Sequence, residues 1–148
     1  MVIRPATASD IQGLLEMEAL FPGDRLSRRS FRHLLTRANA DILIRDADGT
    51  IGGNIVLLYR RNSRLARIYS LIVHPSRRRQ GIAKALIEGA VKVATNRGCD
   101  KLALEVRADN LEAQHLYQSL GFIRTRRIAG YYEDGAPAIR LEKKLFDV

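Results

Sequence analysis

The chain has 148 residues, 46% of them hydrophobic and 28% charged, and carries a formal net charge of +9 at neutral pH. That length suits one domain, residues 1–148, able to bury roughly two thirds of its unfolded surface, and no apolar run approaches the ~20 residues of a membrane span. The charge implies attraction to polyanions, whether RNA, a ribosome surface, an anionic membrane face or a phosphate-bearing ligand, and does not choose among them.

The opening stretch MVIRPATASDIQGLL lacks the basic region and cleavage site of a signal peptide, and Cys99 stands alone, so the expected compartment is a reducing cytoplasm. Residues 2 to 5 read as a short strand. A helix follows from about Ser9, capped by Ser9 or Asp10, with Ile11, Leu14, Leu15 and Ala19 on its apolar face and Phe21-Pro22 and Gly23-Asp24 as its stop. A second helix starts near Ser27, with Phe31, Leu34, Leu35 and Ala38 as its stripe and Arg28, Arg29, Arg32 and Arg37 opposite.

Three strands come next, ADILIRD, IGGNIVLLYR and RLARIYSLIVHP, joined so tightly that they should be antiparallel. From Gly81 the positions Ile82, Ala85, Leu86, Gly89, Ala90 and Val93 form the clearest helical stripe in the chain, closed at Gly98. DKLALEVRADN gives a strand with Leu102, Leu104 and Val106 on one face and Ala103, Glu105 and Arg107 on the other. Asn110 can cap a short helix with stripe Ala113, Leu116, Tyr117 and Leu120, ended by Gly121. Strands at roughly 122–128 and 138–145 flank a turn at Tyr131 to Gly135.

The order predicts a mixed α/β fold, a mostly antiparallel sheet of about seven strands with helices on both faces. The unit from Ile68 to Val106 is strand, helix, strand, which requires one parallel, right-handed crossover. In such sheets ligands sit beyond the carboxyl ends of the strands. RRRQGIAKAL, residues 77–86, lies there, at a helix N-terminus whose free N–H groups favour an anion. Neither G-x-x-x-x-G-K-[ST] nor G-x-G-x-x-G is present, so another phosphate carrier is implied.

The hexapeptide Arg78-Arg79-Gln80-Gly81-Ile82-Ala83 fits [QR]-x-x-G-x-[GA] and resembles the acetyl-CoA pyrophosphate loop of the GNAT N-acetyltransferase superfamily. LEVRADNLEAQHLYQSLGF, residues 104–122, resembles the second half of that family's core. Within the superfamily the chain is most similar to RimI-like protein N-terminal acetyltransferases, through I-x-V-x-P before the loop, E-V-R-x-x-N-x-x-A after it and the turn Gly130-Tyr131-Tyr132-Glu133-Asp134-Gly135. It departs from them in having Ala136-Pro137-Ala138 where an acidic pair is common, and in lacking a tryptophan at Phe21-Pro22. Both departures concern the acceptor, not the chemistry.

The resemblance implies acetyl-CoA as cosubstrate, no metal, and direct acetyl transfer to a primary amine, most simply a protein N-terminus, with a ribosomal protein as one candidate acceptor and no membrane partner. Transfer needs a base for the amine, a polarised thioester carbonyl and a proton for the thiolate. Glu105 matches the family base, against a reading as a structural acid paired with Arg107 or another arginine. Tyr117 matches the family acid, although its place in an apolar stripe equally fits a core tyrosine. The backbone of Leu71, Ile72 and Val73 would hold the pantetheine arm, and Arg78, Arg79, Gln80, Gly81, Ile82, Ala83 and Lys84 the pyrophosphate. Asn110 would cap its helix and touch the cofactor, while Tyr131 and Tyr132 would line the acceptor groove.

Lysine or small-molecule amine acetylation is the alternative within this chemistry. The rival from another class is a basic RNA- or ribosome-binding module using Arg28, Arg29, Arg32, Arg37 and the cluster Arg124-Thr125-Arg126-Arg127. Aromatics are only 6% of the chain and do not interleave with these arginines as base-stacking platforms do, which weighs against it. Monomer and homodimer both remain open.

Overall fold

The elements form in the expected order in the computed structural model, which describes residues 2–21 and 25–146. Seven strands make one sheet in the order β1-β2-β3-β4-β5-β7-β6. They are β1 (Val2–Pro5), β2 (Ala40–Ala47), β3 (Thr50–Tyr59), β4 (Leu65–Val73), β5 (Lys101–Arg107), β6 (Ile123–Ile128) and β7 (Ala138–Lys144). Every neighbouring pair is antiparallel except β4 and β5, which α3 (Ile82–Asn96) connects as the crossover.

Period-two alternation sorts the side chains onto two faces. One face carries Leu43, Ile55, Leu57, Ala66, Ile68, Leu102, Leu104 and Val106, covered by Ile82, Leu86, Ile87, Ala90 and Ala94 of α3 and by Tyr117 of α4 (Leu111–Ser119). The other carries Ile42, Ile44 and Val56 beneath Ile11 and Leu14 of α1 (Ile11–Glu18) and Phe31 and Leu34 of α2 (Arg28–Thr36). Each fully buried aliphatic side chain stabilises by roughly 1.5–3 kcal/mol. Helix propensity differs by tenths of that, so packing decides where these helices lie.

Several local expectations are corrected. The first helix is entered through a 3-10 turn, Ala8–Asp10, which Thr7 caps; Asp10, one of the two expected caps, is the N-cap residue of α1 but makes no side-chain cap bond there. Asp10 accepts the Thr7 N–H at 2.7 Å and pairs with Arg4 at 2.9 Å, which ties the turn to β1. Ala19 is exposed, while Met17 and Glu18 are buried. The expected stop at 22–24 lies outside the described residues. The second helix ends at Thr36, before Ala38, where the Thr36 hydroxyl donates to the carbonyls of Arg32 and His33 and Arg37 turns extended. In α4, Gln114 rather than Leu116 joins Tyr117 inside, because its amide donates to the carbonyls of Arg107 and Ala108.

Two features shape the centre of the sheet. Opposite β3 the register of β4 slips between Ile68 and Ser70, so that Tyr69 bulges out of the ladder and is half exposed. Then β4 and β5 pair only over Leu65–Arg67 and Lys101–Ala103. Beyond those positions each keeps only its outer neighbour, β3 or β7, and the two strands part. The facing backbone edges there have no strand partner, a condition a buried peptide group tolerates only with another hydrogen-bonding group beside it.

Candidate active site

Leu71, Ile72 and Val73 lie on the unpaired half of β4, opposite Ile55, Asn54 and Gly53 of β3. The chain leaves β4 through a 3-10 turn, Pro75–Arg77, begun by His74, whose ring accepts the Ser76 N–H at 3.1 Å. Arg79 then takes φ 65 and Gly81 φ 78, both left-handed, and Gly81 forms the N-cap of α3. A non-glycine residue held in that region is strained by roughly 1–2 kcal/mol, a cost that recurs where a loop is shaped for a ligand. Among the described residues, the N–H groups from Arg78 through Lys84 donate to no carbonyl or side chain. A Cβ placed on Gly81 would meet nothing within 4 Å. This is an open row of donors at the positive end of a 15-residue helix, which suits a pyrophosphate.

Arg78, Arg79, Gln80 and Gly81 are exposed along this loop, whereas Ile82 is core and Ala83 half-buried. Lys84 stands one turn further, lining with Lys92 and Lys143 a depression of ≈ 470 Å³ between α3 and the end of α4. Asn110 caps α4, its side-chain oxygen accepting the Ala113 N–H at 3.1 Å. The cap role of Asn110 is therefore satisfied within the chain.

Tyr117 is 9% exposed, packed edge-on against Phe122 with ring centroids 5.7 Å apart, in the cluster that holds Leu104 and Val106. Burial alone pushes its hydroxyl up to about 12. Glu105 occupies the opposite face of the same strand. Its carboxylate is nearly buried and bridges Arg67, at 3.3 Å, and Arg140, at 3.5 Å. The partner expected among nearby arginines, Arg107, goes elsewhere: it pairs with Asp134 at 2.8 Å and Asp109 at 3.4 Å and stacks over Tyr132.

The turn between β6 and β7 closes over this region. Tyr131 and Tyr132 meet edge-on at 5.0 Å, and the Tyr131 hydroxyl accepts from Arg67 at 2.8 Å, which brings it beside Glu105. Glu105, Arg67, Arg140 and Tyr131 line one groove of ≈ 730 Å³ that extends to the β3–β4 turn. Tyr132, expected to line the groove, does not; its ring lies under Arg107 instead.

Sequence reasoning missed Arg67 and Arg140. Arg67 is the one charged residue of β4, in phase with the Glu105 face, which was a readable signal of an inward ion pair, whereas Arg140 shares β7 with Glu142, Lys143 and Lys144 and did not stand out. It also missed Asn54, fully buried beside Ile72 with neither amide atom partnered among the described residues.

The two parted parallel strands thus leave a seam with a donor-lined loop at its end and a carboxylate groove behind it. Residues 9–122 match the Acetyltransferase (GNAT) family. The chain belongs to that family. It is 31% identical over 140 residues to N-alpha-acetyltransferase 30 of Dictyostelium discoideum, covering 93% of this chain and 74% of that protein. With the Schizosaccharomyces pombe protein of that name it shares 32% over 133 residues, 88% of this chain and 87% of the relative. The match to the Xenopus laevis protein, 34% over 85 residues, spans only 31% of that relative's length.

Among solved structures, the ribosomal-protein-S18-alanine N-acetyltransferase of Escherichia coli is similar with a TM-score of 0.85 at 25% identity, over 99% of this chain and 95% of that one. A chain of the NatC complex bound to Gag peptide and CoA is similar with a TM-score of 0.79 at 28% identity, over 98% of each.

Proposed function

We propose that this chain transfers the acetyl group of acetyl-CoA to the N-terminal α-amine of a protein, with a ribosomal protein as one candidate acceptor. The observation that carries the reading is the sequence likeness, across most of the chain, to N-alpha-acetyltransferases; transferases of other amines share the fold at 15–19% identity. The open donor row from Arg78 to Lys84 fits the pyrophosphate of coenzyme A, and the unpaired edges of β4 and β5 fit its amide-bearing arm. The cosubstrate supplies a thioester, an acyl donor activated toward amines.

In this reading the residues divide the work across the sheet. An α-amine has a pKa near 8, so part of it is protonated at neutral pH and a base must take a proton. Glu105, held between Arg67 and Arg140, accepts it through a water in the groove. Backbone groups of Leu71 to Val73 orient the acyl carbonyl, the amine nitrogen forms the new amide bond, and the carbon–sulfur bond breaks. Tyr117 gives its hydroxyl proton to the departing sulfur from the other face. Tyr131 borders the acceptor. Cys99 takes no part as a nucleophile, since it is buried in the core and burial pushes its thiol up.

The test is acetyl transfer to three acceptor sets: peptides with free N-termini of varied first residue, N-blocked peptides containing lysine, and polyamines. Mass spectrometry should locate acetyl groups on α-amines. Transfer confined to side-chain amines or polyamines would overturn the reading.

A further inference from the structure

The groove that holds Glu105 is unusually basic for a site that receives an ammonium group. Five arginines line it, Arg37, Arg60, Arg61, Arg67 and Arg140, against one carboxylate, Glu105. Arg67 pairs with that carboxylate, and Arg140 is shared between it, at 3.5 Å, and Glu142, at 2.9 Å. The other three have no acidic partner among the described residues; Arg37 donates only to the neutral Asn39 side chain, at 2.8 Å. Asp41 does not neutralise them, because it is taken by Arg97 at 2.9 Å and by the Tyr59 hydroxyl at 2.7 Å. Arg60 and Arg61 stand exposed at the β3–β4 turn, the far end of the same groove.

We propose that this groove selects acceptors whose N-terminal segment carries acidic side chains a few residues after the acetylated amine. The inference rests on the reading of the acceptor as a polypeptide N-terminus and adds its sequence class. Register gives the spacing. Leu65, just past the turn, lies opposite Lys101, and Glu105 is four residues along β5 from there, about 13 Å at the strand rise. An extended acceptor with its amine at Glu105 therefore has its fifth residue level with Arg60, and the long Arg60 and Arg61 side chains reach back toward its third and fourth side chains. Carboxylates there meet unpartnered guanidiniums with the bidentate geometry that arginine favours. Lysine or arginine at those positions is repelled.

The experiment compares peptides sharing one first residue, with residues 3 to 5 all glutamate, all glutamine or all arginine. Both kcat/KM for α-amine acetylation and affinity by fluorescence anisotropy of C-terminally labelled peptides are measured. The acidic peptide should exceed the neutral one by about tenfold at low salt, the basic one should fall below it, and 0.5 M salt should compress the series, since exposed charges are screened. The double variant Arg60→Ala/Arg61→Ala should bring the acidic-to-neutral ratio toward one, while Arg60→Lys/Arg61→Lys retains most of it. Equal affinity for the three peptides, or preference for the basic one, would overturn the proposal. So would a single-stranded RNA that displaces the acidic peptide and binds tighter through Arg60 and Arg61. If the acidic peptide binds in preference but no peptide is acetylated, the groove's selectivity stands and the N-terminal acetylation reading falls.

Discussion

Tyr117 holds its proton throughout any ordinary assay, because burial pushes its hydroxyl up to about 12. A group raised in this way is fully protonated below its unfolded value near 10 and gives up its proton only as pH climbs toward the folded value. The rate should therefore rise with pH through the deprotonation of the acceptor amine near pH 8, with no fall from Tyr117 before pH 10. Tyr117→Phe keeps the ring against Phe122 and should leave the melting temperature nearly unchanged while slowing transfer by roughly 10²-fold, the lower end for a lost general acid. An equally fast variant would make Tyr117 a core residue only. Glu105→Gln should slow transfer most at pH 7 and recover as pH passes 8, where the amine is neutral without help; parallel loss at every pH would count against the base role. The sequence showed Tyr117 on an apolar stripe and Glu105 on the polar face of its strand. It did not show that Arg67 and Arg140, far from Glu105 along the chain, are its partners, because periodicity fixes a face and not the residue across from it.

At the scale of elements, α1 enters the fold through the 3-10 turn that Arg4 and Asp10 pin to β1. The Arg4 guanidinium holds the Asp10 carboxyl below the usual carboxylate range. Its stabilisation is present above the unfolded value near 4 and is lost as pH falls through the lower folded value. Asp10→Asn should then lower the melting temperature by a few degrees at pH 7, and the gap from the parent should close as pH drops below 4; a gap independent of pH would assign the effect to the cap geometry alone. Strand and helix order, the crossover and the α3 and Asn110 caps were all legible, because each rests on local patterning. The bulge at Tyr69 and the parting of β4 from β5 were not. Both are properties of register between strands, which depends on β3 and β7 as much as on β4 and β5.

For the whole molecule, the charge of +9 is not spread at random. Part of it collects in the groove behind Glu105 and part on the exposed strand β6, where Arg124, Arg126 and Arg127 guard the free edge of the sheet against pairing with another chain. The sheet itself is two blocks, β1 to β4 and β5 to β7, joined by the short β4–β5 pairing and by α3. Such a junction behaves as a local weak point in the hydrogen-bond ladder, and opening there does not require the rest of the core to unfold. Amide hydrogen exchange should find Ile68 to Val73 and Leu104 to Arg107 less protected than Ile55 to Leu57, despite their central position. Saturating coenzyme A should slow exchange at both sides of the gap together, as a bridging strand would; protection gained on only one side would mean that the ligand rests on one block and leaves the blocks free to breathe apart.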